Sequence, residues 1–189
     1  MSPPASPLWT SPVGQPKRQH TFLLVIGDIP AWVIKSVSRP SITNNEASYK
    51  FMQHTFKFPG QTTYSDITVK CVDRLDVDVS KKLMNMLFQA GYIAPGSSGF
   101  ATDDGYKKTL AKAGFAFGPN SLGNVKIQLT HPASGAVVEE WILRNAWIKS
   151  LEFGEATYDA DGLLEYTMTL AYDWADFSDL GTDAPAGIL

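Results

Sequence analysis

The sequence predicts a mainly β domain with one flanking helix, an antiparallel β-sandwich or barrel carrying that helix on one side. Three observations lead there. Apolar and polar residues alternate strictly over 67–71, 125–130 and 164–172, the pattern of strands with one dry and one wet face. A single stretch, 79–90, instead spaces its apolar residues at helical intervals. Hydrophobic residues make up 44% of the 189-residue chain, enough for a core in one compact domain.

Residues 1–19 read as an extended arm. Five prolines fall there (Pro3, Pro4, Pro7, Pro12 and Pro16), and proline lacks the N–H that helix interiors and sheet ladders require. Trp9 is its candidate anchor. The folded domain is expected over 20–175 and a C-terminal tail over 176–189. Within the domain, 20–26 is a short apolar strand closed by Gly27-Asp28, and 32–37 is another. From Tyr49 the chain alternates, with Met52, His54, Phe56 and Phe58 on one face and Phe51, Gln53, Thr55 and Lys57 on the other. Pro59-Gly60 is expected to turn the chain. The next strand sets Ile67, Val69 and Cys71 opposite Asp66, Thr68 and Lys70.

The helix is expected over about 78–91. Val79, Leu83, Met86, Leu87 and Ala90 form its apolar stripe, Asp76 or Asp78 is its N-cap, and Gly91 stops it. A long loop over about 95–121 follows, with a short helix inside it; a connection of that length is usually functional or disordered. Strands resume at 125–130, turn at 131–135, and continue through 137–143 and 145–153. After a loop over 154–162, the last strand has Leu164, Tyr166, Met168, Leu170 and Tyr172 on its dry face. Glu165, Thr167, Thr169, Ala171 and Asp173 form its wet face.

Composition narrows the function. The net charge of −3 argues against a nucleic-acid binder, which shows a basic stripe. No run approaches the ~20 apolar residues of a membrane span, and residues 1–19 lack the apolar core of a secretory signal. The lone Cys71 excludes an intrachain disulfide and fits a reduced, cytoplasmic origin. Its place in an alternating strand makes it a small buried apolar residue.

Catalytic chemistry is sparse. Serine-hydrolase, zinc-protease and phosphate-loop motifs are missing, so no catalytic, cofactor-binding or metal residue is assigned. His20, His54 and His131 lie far apart in sequence and read as structural. Asp159-x-Asp161-Gly162 lacks the further ligands of a calcium loop and reads as a turn. Asp173, Asp176 and Asp179 read as a solvated acidic tail. What the chain has in quantity is strand with wet faces rich in Thr, Gln, Lys and Glu.

The segment 139–175 carries Trp141-x-Leu143-x-Asn145-Ala146-Trp147-Ile148, the turn Gly154-Glu155-x-x-Tyr158-Asp159, and a closing strand with Tyr172-Asp173-Trp174. These features resemble the C-terminal half of tail tube proteins of contractile-tailed (myovirus-type) bacteriophages. Related tubes belong to type VI secretion and contractile injection systems. A weaker likeness extends to Tyr64-Ser65-Asp66-Ile67-Thr68-Val69 ahead of the helix.

The resemblance implies a structural, non-enzymatic protein with no cofactor. Six copies would form a ring, each giving strands to one ring-wide β-barrel. Rings would stack into a tube in the virion tail, assembled in the host cytoplasm, with tail sheath, baseplate and tail terminator proteins as partners. DNA would pass through the bore without specific binding. Expected interface residues are Trp147, Tyr158 and Tyr172, with Phe100, Tyr106, Phe115 and Phe117 from the long loop. Expected bore residues are Gln53, Thr55, Lys57, Asp66, Thr68, Lys70, Glu165, Thr167 and Thr169. Two features are less standard for the family, the Pro-rich arm and the segment after Asp176. A baseplate or tube-initiator protein of the same fold, a contractile-injection-system tube, and a ligand-binding β-barrel or enzyme are the alternatives.

Overall fold

The computed structural model describes residues 17–76, 78–96, 109–132, 134–159 and 161–179. Most of the N-terminal arm with Trp9, the loop residues Phe100 and Tyr106, and the segment after Asp179 lie outside the described residues. Ten strands form two four-stranded antiparallel sheets and a separate hairpin. The first sheet has the order β1 (Phe22–Val25), β6 (Val125–Thr130), β7 (Val137–Arg144), β10 (Trp174–Asp179). The second has the order β2 (Ile34–Val37), β5 (Ile67–Val72), β9 (Glu165–Ala171), β8 (Trp147–Glu152). Strands β3 (Ile42–Phe51) and β4 (His54–Tyr64) pair only with each other. Neither sheet closes into a barrel within one chain.

The alternation seen in the sequence becomes the core. Leu24, Ile127 and Leu143 from the first sheet join Ile67, Val69, Met168 and Leu170 from the second in one buried cluster. Helix α1 (Val79–Gln89) adds Val79, Leu83 and Met86 to it. The helix is held at both ends. The Asp78 carboxylate accepts the Lys81 backbone N–H at 2.9 Å and the Ser80 hydroxyl at 2.7 Å, and these bonds hold its pKa below the usual range. At the other end Gly91, at φ 111°, donates to Phe88 O while Tyr92 donates to Leu87 O, the double bond of a Schellman stop.

The described end of the long loop sends Phe115 into the core. A short helix α2 (Lys112–Ala116) packs on the end of α1 so closely that a Cβ on Gly114 would sit 2.4 Å from Ala90 Cα. Phe115 is 1% exposed and Leu122 is fully buried. The Leu122 N–H donates to Phe115 O, and Leu122 O accepts the Gly27 N–H, which ties this segment to the end of β1. Phe115 is therefore a core residue rather than a surface contact. Tyr172 is likewise buried, with its ring 5.7 Å from that of Tyr64.

Three further expectations are corrected. Pro59-Gly60 lies inside β4, where the ladder skips a residue between Asn44 and Glu46; a Cβ on Gly60 would be 3.0 Å from Asn45 O. Proline and glycine mark a bulge here, not a turn. The turn is at Met52-Gln53, with Met52 at φ 53° and Phe51 paired to His54. That turn puts Phe51 on the face of His54, Phe56 and Phe58, not opposite them. Residues 174–179 form edge strand β10 instead of opening a solvated tail, with Asp176 accepting from Arg144 Nε at 2.6 Å.

Glu139 is the one buried charged side chain among the described residues, at 3% exposure. It lies in register with Leu129 on the core side of β7. Lys17 Nζ donates to it at 2.6 Å and Trp141 Nε1 at 2.7 Å, and Arg39, just after β2, completes the cluster. One carboxylate thus joins the end of the arm and the second sheet to the first. Burial opposes its ionisation, but the Lys17 and Trp141 hydrogen bonds and the charges of Arg39 and Lys17 outweigh burial, and its pKa lies below the ordinary 4.5. A lowered folded pKa means that this stabilisation is present above the unfolded value and is lost as pH falls through the folded one. Glu139→Ala should destabilise the fold by about 2 kcal/mol, because Lys17 and Arg39 regain water only in part. Thermal melts should show the wild-type advantage at neutral pH shrinking below pH 4.5; an unchanged gap down to pH 2 to 3 would show that the cluster is not what titrates.

The Tyr172 hydroxyl is buried and finds no hydrogen-bond partner among the described residues, and burial pushes its pKa up to about 12. An unsatisfied buried hydroxyl costs roughly 1–3 kcal/mol. Tyr172→Phe should therefore leave the melting temperature unchanged or raise it. A clear drop in a melt would reveal a partner for the hydroxyl.

Candidate assembly interface

Two surfaces stand out by what they leave exposed. The first is the second sheet. β2 and β8 are its outer strands, and among the described residues each has one row of backbone N–H and C=O groups with no strand beside it. Successive antiparallel pairings β2–β5, β5–β9 and β9–β8 make β2 antiparallel to β8.

The wet face of this sheet is ordered in rows by the register. Ser36, Lys70, Thr167 and Glu152 form one row, and Thr68, Thr169 and Ser150 form the next. The structure thus brings Thr68, Lys70, Thr167 and Thr169 together on one face. Glu165 lies at its edge in an ion pair with Lys35, and Asp66 pairs with Lys149 Nζ at 2.5 Å. Gln53, Thr55 and Lys57 are not in this sheet. Gln53 is in the hairpin turn, and Thr55 and Lys57 are in β4, where Lys57 reaches Glu46 at 3.1 Å.

The second surface is the β3–β4 hairpin. Every residue of β3 is exposed. The register puts Tyr49 opposite Phe56, Phe51 opposite His54, and Ala47 opposite Phe58, so four aromatic rings share one face. Each is more than half exposed to solvent. Ser48, Lys50, Thr55 and Lys57 line the opposite face. A soluble monomer rarely shows water so continuous an apolar surface. The signal was present in the sequence as the alternation around Phe56 and Phe58. The misplaced turn concealed that Tyr49 and Phe51 join the same face.

Of the expected interface residues, Trp147 packs partly against the core, while Tyr158 and Phe117 are strongly exposed. Asp173 is not free: it accepts from Lys112 Nζ at 2.6 Å and Asn145 Nδ2 at 2.8 Å, which lower its pKa. Cys71 is buried, and burial pushes its thiol up to about 11, so it is a poor nucleophile at neutral pH. Among the described residues no group of three His, Cys, Asp or Glu side chains is placed to hold a metal, and no helix is long and apolar enough to cross a membrane.

No family model and no curated protein matches the sequence. Solved structures do. The chain is similar at 20% identity and TM-score 0.63 to a chain of an extracellular contractile injection system (PVC) sheath-tube complex in its extended state, covering 89% of this chain and 95% of that one. It is similar at 15% identity and TM-score 0.59 to a chain of the anti-feeding prophage baseplate, with 89% and 98% covered. It is similar at 20% identity and TM-score 0.55 to a chain of the anti-feeding prophage tube-terminating cap, with 87% and 91% covered. Over nearly its whole length, then, the chain has the fold that recurs in the tube, baseplate and cap assemblies of contractile injection systems.

Proposed function

We propose that this chain is a structural subunit that forms a hexameric ring, and that rings stack into the inner tube of a contractile tail. The observation that carries this reading is the second sheet. Its two open edges run antiparallel to each other, so a rotation can set β8 of one copy beside β2 of the next and continue the alternation unbroken. Such a head-to-tail contact closes this sheet into a ring and leaves neither of its edges exposed. Barrels of ~16–18 strands already enclose an aqueous channel, and six of these sheets would make a wider one.

In that ring the dry face of the sheet stays against the rest of the subunit. The wet face, with Thr68, Lys70, Thr167 and Thr169, lines the bore. Lys70 and Glu152 share a row, so the wall presents charges of both signs among hydroxyls. Such a wall lets DNA or another anionic cargo slide rather than bind. Sheath, baseplate and terminator proteins are the further partners of this reading, and the virion tail is its location. A ring that caps or founds a tube is the second reading, because similar folds occur in cap and baseplate structures.

Electron microscopy of the purified chain tests both. Long stacks of rings are expected, and particles of one or two rings would favour the cap or baseplate role. A monomer at all concentrations, salts and pH values would overturn self-assembly. Thr167→Lys with Thr169→Lys should leave tubes intact but make them retain double-stranded DNA at low salt and release it at high salt, as screening weakens. Intact tubes with no added retention would show that this face is not the bore.

The aromatic face of the hairpin is, in this reading, covered by another copy. Phe56→Ser with Phe58→Ser should leave the circular dichroism spectrum unchanged, since both side chains are exposed in the single chain. Burying an aromatic side chain contributes roughly 1.5–3 kcal/mol, so the double variant should assemble at least about 100-fold more weakly in light scattering. Assembly at the wild-type concentration would show that the hairpin face is not buried between copies.

A further inference from the structure

The charges of this chain are segregated along its length. From Ser150 onward there are nine Asp and Glu and no Lys, Arg or His. Residues 1–149 hold all sixteen Lys and Arg with ten acids. The two parts carry −9 and +6, which together give the net −3. In the fold Glu165, Asp173 and Asp176 pair with Lys35, Lys112 and Arg144, so the acids left to meet a second copy include those of the loop after β8.

The positive region contains a cavity. It opens between the residues leading into β1 and those at the end of β2, with a volume of about 570 Å³. Phe22, Val37, Ile127 and Leu129 give it an apolar floor. Lys17, Arg18, Lys35 and Arg39 stand around it. Two carboxylates reach three of those four cations: Glu139 takes Lys17 and Arg39, and Glu165 takes Lys35. An excess of positive charge remains at the rim, with Arg18 in no ion pair among the described residues. An apolar floor beneath a cationic rim fits an apolar side chain flanked by carboxylates.

The acidic region supplies such a knob. The β8–β9 loop, 153–164, carries Glu155, Asp159 and Asp161 and no basic residue. At its tip Tyr158 stands fully in solvent. A tyrosine ring fits easily in a cavity of this volume.

We infer that this cavity is the socket for the Tyr158 loop of a second copy. The inference rests on the proposed ring and deepens it. The register supports the placement. Ser36, a lining residue, shares a row with Lys70, Thr167 and Glu152, the last residue of β8. When that row continues from copy to copy, the neighbour's Glu152 arrives beside Ser36. Its acidic loop then starts at the level of Lys35 and Ser36. The contact adds a side-chain lock to the backbone pairing of β8 with β2.

Site-directed crosslinking tests this. Gln19→Cys on the rim and Ala156→Cys on the loop leave the cations, the carboxylates and Tyr158 in place. The native Cys71 is buried and gives no background. Mild oxidation of mixed assemblies of Q19C and A156C should give a reducible dimer that neither variant gives alone. Tyr158→Ala should weaken wild-type assembly about tenfold or more while the chain stays folded. Mixed assemblies that form normally but yield no dimer, or Y158A assembling like wild type, would overturn the socket and leave the ring standing. A wild-type chain that never assembles would instead remove the ring, and the socket with it. A Q19C/A156C double variant that links within one monomer would show that the loop occupies its own subunit's cavity.

Discussion

A sheet edge is a row of backbone donors and acceptors that must find partners, and this chain leaves two such rows on one four-stranded sheet. Natural monomers blunt their edges with bulges, prolines, inward-pointing charges or a covering loop. β2 and β8 each have a bulge, and among the described residues no further strand pairs with either on its outer side. The rest of the architecture serves that sheet. The first sheet and α1 cover only its dry face, through Ile67, Val69, Met168 and Leu170. Its wet face stays exposed, and among the described residues no further strand pairs with its edges.

The buried Glu139 helps hold the second sheet to the first. Two cations from segments distant in sequence meet one carboxylate of the first sheet. Buried ion pairs of this kind are weak evidence for net stability but strong constraints on register, because any slip leaves a charge unpaired in the core. The cluster also shapes the rim of the nearby cavity, since Lys17 and Arg39 belong to both. Internal structure and outward charge are set by the same side chains. The hairpin is the opposite case: its fold depends on its own ladder, and its aromatic face has no internal use.

Several elements were legible because their causes are local. The helix from Val79, its Asp78 cap and its Gly91 stop follow from spacing and backbone chemistry within a few residues. The dry faces of 67–71, 125–130 and 164–172 follow from alternation alone. The candidate surface was legible only in part. Thr68, Lys70, Thr167 and Thr169 were identified as wet-face residues, and the structure sets them side by side. Thr55 and Lys57 had the same pattern and belong to a different sheet.

What the sequence alone determined is which side of 67–71, 125–130 and 164–172 avoids water and where the helix starts and stops. Those depend on side-chain polarity and on backbone groups close in the chain. The tertiary structure decided which strands are neighbours, which edges stay open, and which aromatics are core. Phe115 read as an interface residue and Phe58 as one face of an alternating strand; the first fills the space beside α1, and the second lies exposed on the β3–β4 hairpin. Pro59-Gly60 has turn chemistry but lies opposite a skipped residue in β3, where it makes a bulge. Strand pairing is a contact between distant segments, and a period of two marks a face without naming its partner.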